Sequence, residues 1–296
     1  MQRITVAAVA MRAVHDKAAN LASMLATVAS CAEQGADLVV FPEQCLQGYL
    51  PSLTDYALSH VTYQVEHAEP VATGPSVRAL ADAAARHGVH VVFGMTERDE
   101  VRAEVLYNTA VLVGPDGVVG SYRKVHQPGD EKHLYHPGDG FTVLETPLGR
   151  IGMLICYDLC FPESTRSLAL SGADLLVLPT AWGVDDPAAP VHEDRMVGAF
   201  DLFTRVRALE NQTWFVGANL VGRLGGFTYP GGSRVVGPDG VVRADTGATE
   251  GVAFATVDRA ETVRARTVGY LGYSFLKDHR DLAPAEVRRP EGGQAA

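Results

Sequence analysis

Short apolar runs alternate along the chain with stretches in which apolar side chains recur every three or four positions. The first pattern predicts buried strands and the second amphipathic helices. The opening MQRITVAAVAMRAVHDKAAN reads as a first strand, not a secretory leader, because polar and charged residues follow at once and no small-residue cleavage site is present. A helix is predicted over about 16–34, with Gly35 as its left-handed stop, and a second over about 75–87 ending at Gly88. ADLVVFPE (36–43) and VHVVFGMTE (89–97) are predicted strands, and NTAVLVGPDGVVGSYRKVH (108–126) a hairpin. Its GPDG turn uses Pro115 to preset φ and Gly117 to take a positive φ. Further on come helices at about 162–171 and 194–210. Strands are expected at 173–180, 213–221, 232–237 and 240–244.

Two fragments recur. QGADLVVFPE (34–43) is echoed by SGADLLVLPT (171–180), and VLVGPDGVVGS (111–121) by RVVGPDGVVRA (234–244). The spacing is far longer than a solenoid repeat. It predicts two similar halves, each a sheet with helices on one face and its other face buried against its twin. The expected fold is therefore α/β: a four-layer α-β-β-α sandwich of two β-sheets with outer helices and pseudo-twofold halves. No low-complexity linker divides the chain, so 1–285 is read as one domain and 286–296 as a flexible tail.

Composition narrows the partners. The 296 residues are 47% hydrophobic with a formal net charge of −10 and no Lys/Arg-rich run, so no nucleic-acid partner is expected. No apolar stretch is long enough for a membrane span, and the expected location is cytoplasmic. Four cysteines, Cys31, Cys45, Cys156 and Cys160, are too few for a disulfide scaffold. Cys156 and Cys160 lie near several histidines, but no second cysteine pair accompanies them, so no metal is expected. The Gly-rich GPDG and GGFTYPGG segments match neither a P-loop nor a dinucleotide fingerprint, and no cofactor is expected.

Three polar side chains stand where predicted strands stop: Glu43 after DLVVFP, Lys124 after VVGSYR and Cys156 after IGMLI. Cys156 sits at a strand-to-helix turn ahead of Pro162, where helix N-termini favour a thiolate. Taken singly, each has a plainer reading: a solvated strand end, an exposed cation, a packed core thiol. If the three strands are neighbours of equal polarity, their ends form one cluster, and open α/β sheets place ligands there.

FPEQCLQGY (41–49), YRKVH (122–126) and LICYDLCFPESTR (154–166) together resemble the three ordered signatures of the nitrilase superfamily of carbon–nitrogen hydrolases. The likeness runs from about residue 4 to about 282. It implies the sandwich fold and a Glu–Lys–Cys triad at Glu43, Lys124 and Cys156. EKHLYHPGD (131–139) resembles the family's second glutamate before Pro-Gly, which makes Glu131 a further candidate. The resemblance also implies a homo-oligomer, a dimer or tetramer.

In chemical terms, an amide carbonyl is a weak electrophile and needs a strong nucleophile. Glu43 would take the proton of Cys156, and Lys124 with the Tyr157 N–H would hold the oxyanion. Tyr49, His126, Tyr157 and Trp182 are the expected pocket wall, with His192 at its mouth. Cys-Tyr-Asp after the strand is similar to the amidase and carbamoylase branches; true nitrilases usually read Cys-Trp-Glu. Leu159 and Cys160 stand where N-carbamoyl-D-amino-acid hydrolases place arginines, and Arg166 is read as structural. The expected function is hydrolysis of a small-molecule amide through a thioester, releasing ammonia or an amine. The alternatives are a nitrilase, an N-carbamoyl amidohydrolase and a catalytically silent binding or scaffold protein.

Overall fold

Alternation of side chains along the strands decides the layers. The computed structural model describes residues 3–54, 57–269 and 272–280; the expected tail at 286–296 lies outside them. The first strands are β1 (Arg3–Ala10), β2 (Leu38–Val40), β3 (His90–Arg98), β4 (Leu106–Gly114) and β5 (Gly117–Arg123). Helices α1 (Lys17–Glu33), α2 (Leu58–His67), α3 (Pro75–His87) and α4 (Glu131–Leu134) are interleaved with or follow them. The Asp16 side chain caps α1 by accepting from Ala19 N at 3.0 Å. Gly35 (φ 81°) and Gly88 (φ 67°) stop α1 and α3 in the left-handed region, as their sequence positions predict.

The second half carries β6 (Thr142–Thr146), β7 (Gly149–Met153), β8 (Leu175–Thr180), β9 (Trp214–Asn219), β10 (Val221–Leu224), β11 (Phe227–Pro230), β12 (Arg234–Val236) and β13 (Val242–Asp245). Its helices are α5 (Pro162–Leu170) and α6 (Arg195–Glu210). The chain then returns through β14 (Gly251–Asp258) to the first sheet and ends in α7 (Arg259–Thr267) and α8 (Phe275–Asp278). No helix among the described residues is long and apolar enough to cross a membrane.

The two large sheets have orders β14-β1-β2-β3-β4-β5 and β6-β7-β8-β9-β12-β13. They correspond strand for strand: three central parallel strands, one antiparallel strand on one side and an antiparallel hairpin on the other. The sequence echoes mark equivalent strands, β2 with β8 and the β4–β5 hairpin with β12–β13. Even the connections agree. Asp37 accepts from Thr5 N at 2.7 Å in one half, and Asp174 from Arg150 N at 2.9 Å in the other.

Ile4, Val6, Ala8, Leu38, Val40 and Val92 point inward and share one core with Leu175, Val177 and Val216 of the opposite sheet. Their alternate neighbours, Ala7, Val9, Val39, Val91 and Phe93, pack on Met24 and Val28 of α1 and on Val77 and Leu80 of α3. This gives the expected helix–sheet–sheet–helix stack. One expectation needs correction. The strands leading to Glu43 and Lys124 share a sheet and a direction, but β3 and β4 separate them, and the strand before Cys156 belongs to the other sheet. The three meet across the sandwich because the C-terminal ends of β2 and β8 adjoin, Glu43 N donating to Thr180 O at 3.4 Å.

Candidate active site

Glu43 follows β2 on a bend held against β3. Gly94 N donates to Pro42 O at 3.1 Å, and Gln44 takes a positive φ of 45°. A Cβ on Gly94 would lie 2.4 Å from Gln44 N and 2.7 Å from the Glu43 Cα, so only glycine lets this bend approach the strand. Lys124 follows β5, its N–H bonded to Asn108 O at 2.8 Å. Glu131 opens α4.

The three side chains converge and are fully buried. Lys124 Nζ lies 2.7 Å from Glu43 Oε1 and 2.8 Å from Glu131 Oε2. Asn108 Nδ2 donates to Glu43 Oε1 at 2.7 Å and to Glu131 Oε1 at 2.5 Å. Ala181 N donates to Glu43 Oε2 at 2.8 Å, and Tyr49 OH to Glu131 Oε2 at 3.1 Å. Burial would push the Lys124 ammonium down, but Glu131 and Glu43 raise it well above the ordinary lysine value, so it stays charged. Burial also raises Glu131, against the pull of Lys124. Two carboxylates around one ammonium leave a negative surplus in a dry site, and such a site favours an extra proton.

Cys156 begins a short 3-10 turn, Cys156–Cys160, with φ 42°. A non-glycine residue there costs on the order of 1 kcal/mol or more and needs support from its surroundings. Asp158 supplies it. This buried carboxylate accepts from Ile155 N at 2.9 Å and Tyr122 OH at 2.7 Å with one oxygen. The other accepts from His126 N at 2.9 Å and pairs with His126 Nδ1 at 2.8 Å. The backbone just before the thiol is thereby tied to the segment just after Lys124.

Burial, then Glu43, push the Cys156 thiol well above its ordinary value, against Lys124. The expectation that a helix N-terminus favours the thiolate is thus overturned. The next helix, α5, starts only at Pro162, while burial and the Glu43 carboxylate both act against the thiolate.

Cys156 also lines a cavity of about 340 Å³, together with Tyr49, Leu53, Tyr157, Trp182 and Phe227. Trp182 is held by Asn219, whose Oδ1 accepts from Trp182 N at 2.8 Å, and by its own Nε1, which donates to Met196 O at 2.8 Å. Of the expected wall, His126 falls elsewhere. Its ring stacks on Phe161 with centroids 3.8 Å apart and pairs with Asp158 behind the Cys156 turn. His192 sits on an exposed 3-10 turn outside the lining. Cys160 borders the cavity. Cys45 does not: it is buried, bonds Gly94 O at 3.5 Å, and its thiol is pushed up to about 12 by burial. Among the described residues no three His, Cys, Asp or Glu side chains gather to hold a metal ion.

Asn108 and Asp158 are the residues that the sequence reading missed. Asn108 is a polar side chain inside a strand buried at every position, which is itself a signal, since such a group needs partners. Asp158 carries no such mark, because it lies on a turn where aspartate is ordinary.

A family model for carbon-nitrogen hydrolases matches residues 5–267. The chain is 35% identical to an (R)-stereoselective amidase from Pseudomonas sp, over 94% of this chain and 92% of the other. It is likewise 35% identical to a nitrilase from Pyrococcus abyssi, over 90% and 92%. A mutant of the amidase from Nesterenkonia sp. AN1 is similar in structure, with TM-score 0.72 and 27% identity over 94% of each chain. That structure shows covalent addition of the acetamide moiety of fluoroacetamide at the active site cysteine.

Proposed function

The chain belongs to the carbon-nitrogen hydrolase family and is an amidase-like enzyme of the nitrilase superfamily, and from that premise we propose that it hydrolyses small amides through a thioester on Cys156. The observation that carries this reading is the buried Glu43–Lys124–Glu131 cluster, which Tyr49 and Ala181 join by hydrogen bonds to the wall of a cavity that also holds the Cys156 thiol.

A thiol held neutral at rest must lose its proton as it attacks. Glu43 takes that proton while the Cys156 sulfur bonds to the carbonyl carbon. The carbonyl π electrons move to oxygen, and the Lys124 ammonium and the Tyr157 N–H hold the oxyanion. Losing one such donor typically costs about 3–4 kcal/mol of barrier. When the oxyanion collapses, the C–N bond breaks and protonated Glu43 gives its proton to the departing nitrogen. Ammonia or an amine leaves. Water, deprotonated by Glu43, then opens the thioester, releasing the carboxylic acid and restoring the thiol. Glu131 and Asn108 hold Lys124 and Glu43 in register throughout. The adduct at the active site cysteine of the Nesterenkonia amidase supports the assignment of the nucleophile.

The test mixes the protein with a panel of amides, ureido acids and nitriles. It follows ammonia release and the intact mass of the protein. An acyl adduct on Cys156, with ammonia from amides and none from the Cys156→Ala variant, is expected. Retained hydrolysis by that variant would refute the assignment. The likeness to the Pyrococcus nitrilase supports a second reading, addition of the same thiol to a nitrile carbon, which release of ammonia from nitriles would favour. Absence of both adduct and ammonia would leave the silent binding protein. A homo-oligomer, dimer or tetramer, is part of the proposal and is read by light scattering.

A further inference from the structure

The reacting groups lie behind the cavity wall, where two lining residues reach them: Tyr49 OH donates to Glu131 and Ala181 N to Glu43. Glu43, Lys124 and Glu131 are wholly buried, whereas Cys156 is 7% exposed and lines the cavity. A carboxamide whose nitrogen must reach Glu43 faces the buried side. The remainder of the substrate then has the cavity to occupy. That space is walled by Leu53, Trp182, Val184, Met196 and Phe227, an apolar surface with aromatic faces.

Among the described residues one charged residue joins this lining, the acid Asp185. Arg195 pairs with it through two bonds, Nε to Oδ2 at 2.7 Å and Nη2 to Oδ1 at 3.0 Å. The loop that carries it is fixed. Asp194 accepts from Asp185 N at 2.9 Å and Asp186 N at 3.0 Å, while its other oxygen caps α6 at Met196 N, 2.8 Å away. The acid is therefore a set part of the rim.

We propose that the substrates are amides of uncharged, apolar carboxylic acids, and that Asp185 helps to reject acyl arms ending in a carboxylate. This rests on the amidase reading above and names its substrate class. An apolar arm gains by leaving water for the cavity wall. A terminal carboxylate loses its hydration there and finds no free cation among the described lining residues in exchange, because Asp185 already holds Arg195.

The experiment measures kcat/KM by ammonia release along acetamide, propionamide, butyramide and pentanamide. It then compares succinamate with its neutral isostere 4-methylpentanamide, in the wild type and in Asp185→Asn. Each added methylene is expected to raise kcat/KM about three- to four-fold until the cavity is filled. Succinamate is expected to trail its isostere by about a hundred-fold or more. In Asp185→Asn the succinamate-to-isostere ratio should rise about three- to ten-fold, with less gain at high salt. A flat ladder, or succinamate cleaved as fast as its isostere, would overturn the substrate class while leaving the amidase reading intact. An unchanged ratio in Asp185→Asn would overturn the role of Asp185. Ammonia from none of the amides would overturn the amidase reading itself, and this inference with it.

Discussion

The two halves share a strand plan and differ in what they place at the strand ends. In the first half the loop after β2 gives Glu43, and the ends of the β4–β5 hairpin give Asn108 and Lys124. In the second, the residues at the matching echo positions are Thr180, Gly231 and Gly247, which carry no charge. Conversely, Cys156 follows β7, while Met11 holds the corresponding place after β1. Charge is concentrated on one copy and the thiol on the other. The lesson is that a duplicated scaffold supplies geometry, and that chemistry enters by breaking its symmetry at a few ends.

The comparison breaks most completely at Cys156. Cys156→Ala should lower kcat by on the order of 10⁴-fold or more, with the urea midpoint little changed, because a small thiol is replaced by a smaller apolar group. Next comes the first half's cation. Lys124→Met leaves two buried carboxylates facing each other, so it should destabilise the fold by about 3–5 kcal/mol, read by urea denaturation, and abolish turnover. If Lys124→Met is as stable as the wild type, the buried cluster is not held together as described.

A smaller effect tests the brace between the halves. Asp158→Asn keeps the shape but weakens four contacts, and kcat should fall about ten- to a hundred-fold with KM nearly unchanged, since no substrate contact is lost. An effect on KM alone would contradict a positioning role.

The smallest effect contrasts the thiols. Burial raises the Cys45 thiol from its usual value to about 12. A group whose folded pKa is raised contributes stability that is complete below its unfolded pKa and is lost as pH rises. Cys45 should thus cost about 1–1.5 kcal/mol by pH 10, and that loss should be missing from the pH–stability curve of Cys45→Ala. Both thiols are raised, so labelling follows access: near neutral pH iodoacetamide should label Cys156, which lines the cavity, and spare Cys45, which does not, as peptide mapping would show.

Much of the scaffold was legible because its signals are local. The glycines after α1 and α3, the GPDG turns and the twin GAD-strand segments each fix a boundary without reference to the rest of the chain. The strands that escaped, β6, β10, β11 and β14, are edge or hairpin strands with partly exposed faces, where polar residues blur the apolar run. α4 is a single turn, too short for any period to appear. At the site, Glu43 and Cys156 could be singled out because each interrupts an apolar run, whereas Lys124 follows the mixed VVGSYR and stood out by its place at a strand end and by the family signature. What the sequence withheld was pairing across the sandwich. Nothing local says that Asn108 joins two carboxylates, or that His126 turns to Asp158 instead of the cavity.

The bend at Glu43 carries one last consequence. A single methyl group at position 94 would collide with the peptide that carries Glu43. An alanine at that spot is expected to displace Glu43 from behind while leaving every candidate side chain present. Distance from the sulfur alone therefore does not decide which positions tolerate change: Gly94 is fixed by its contact with the bend.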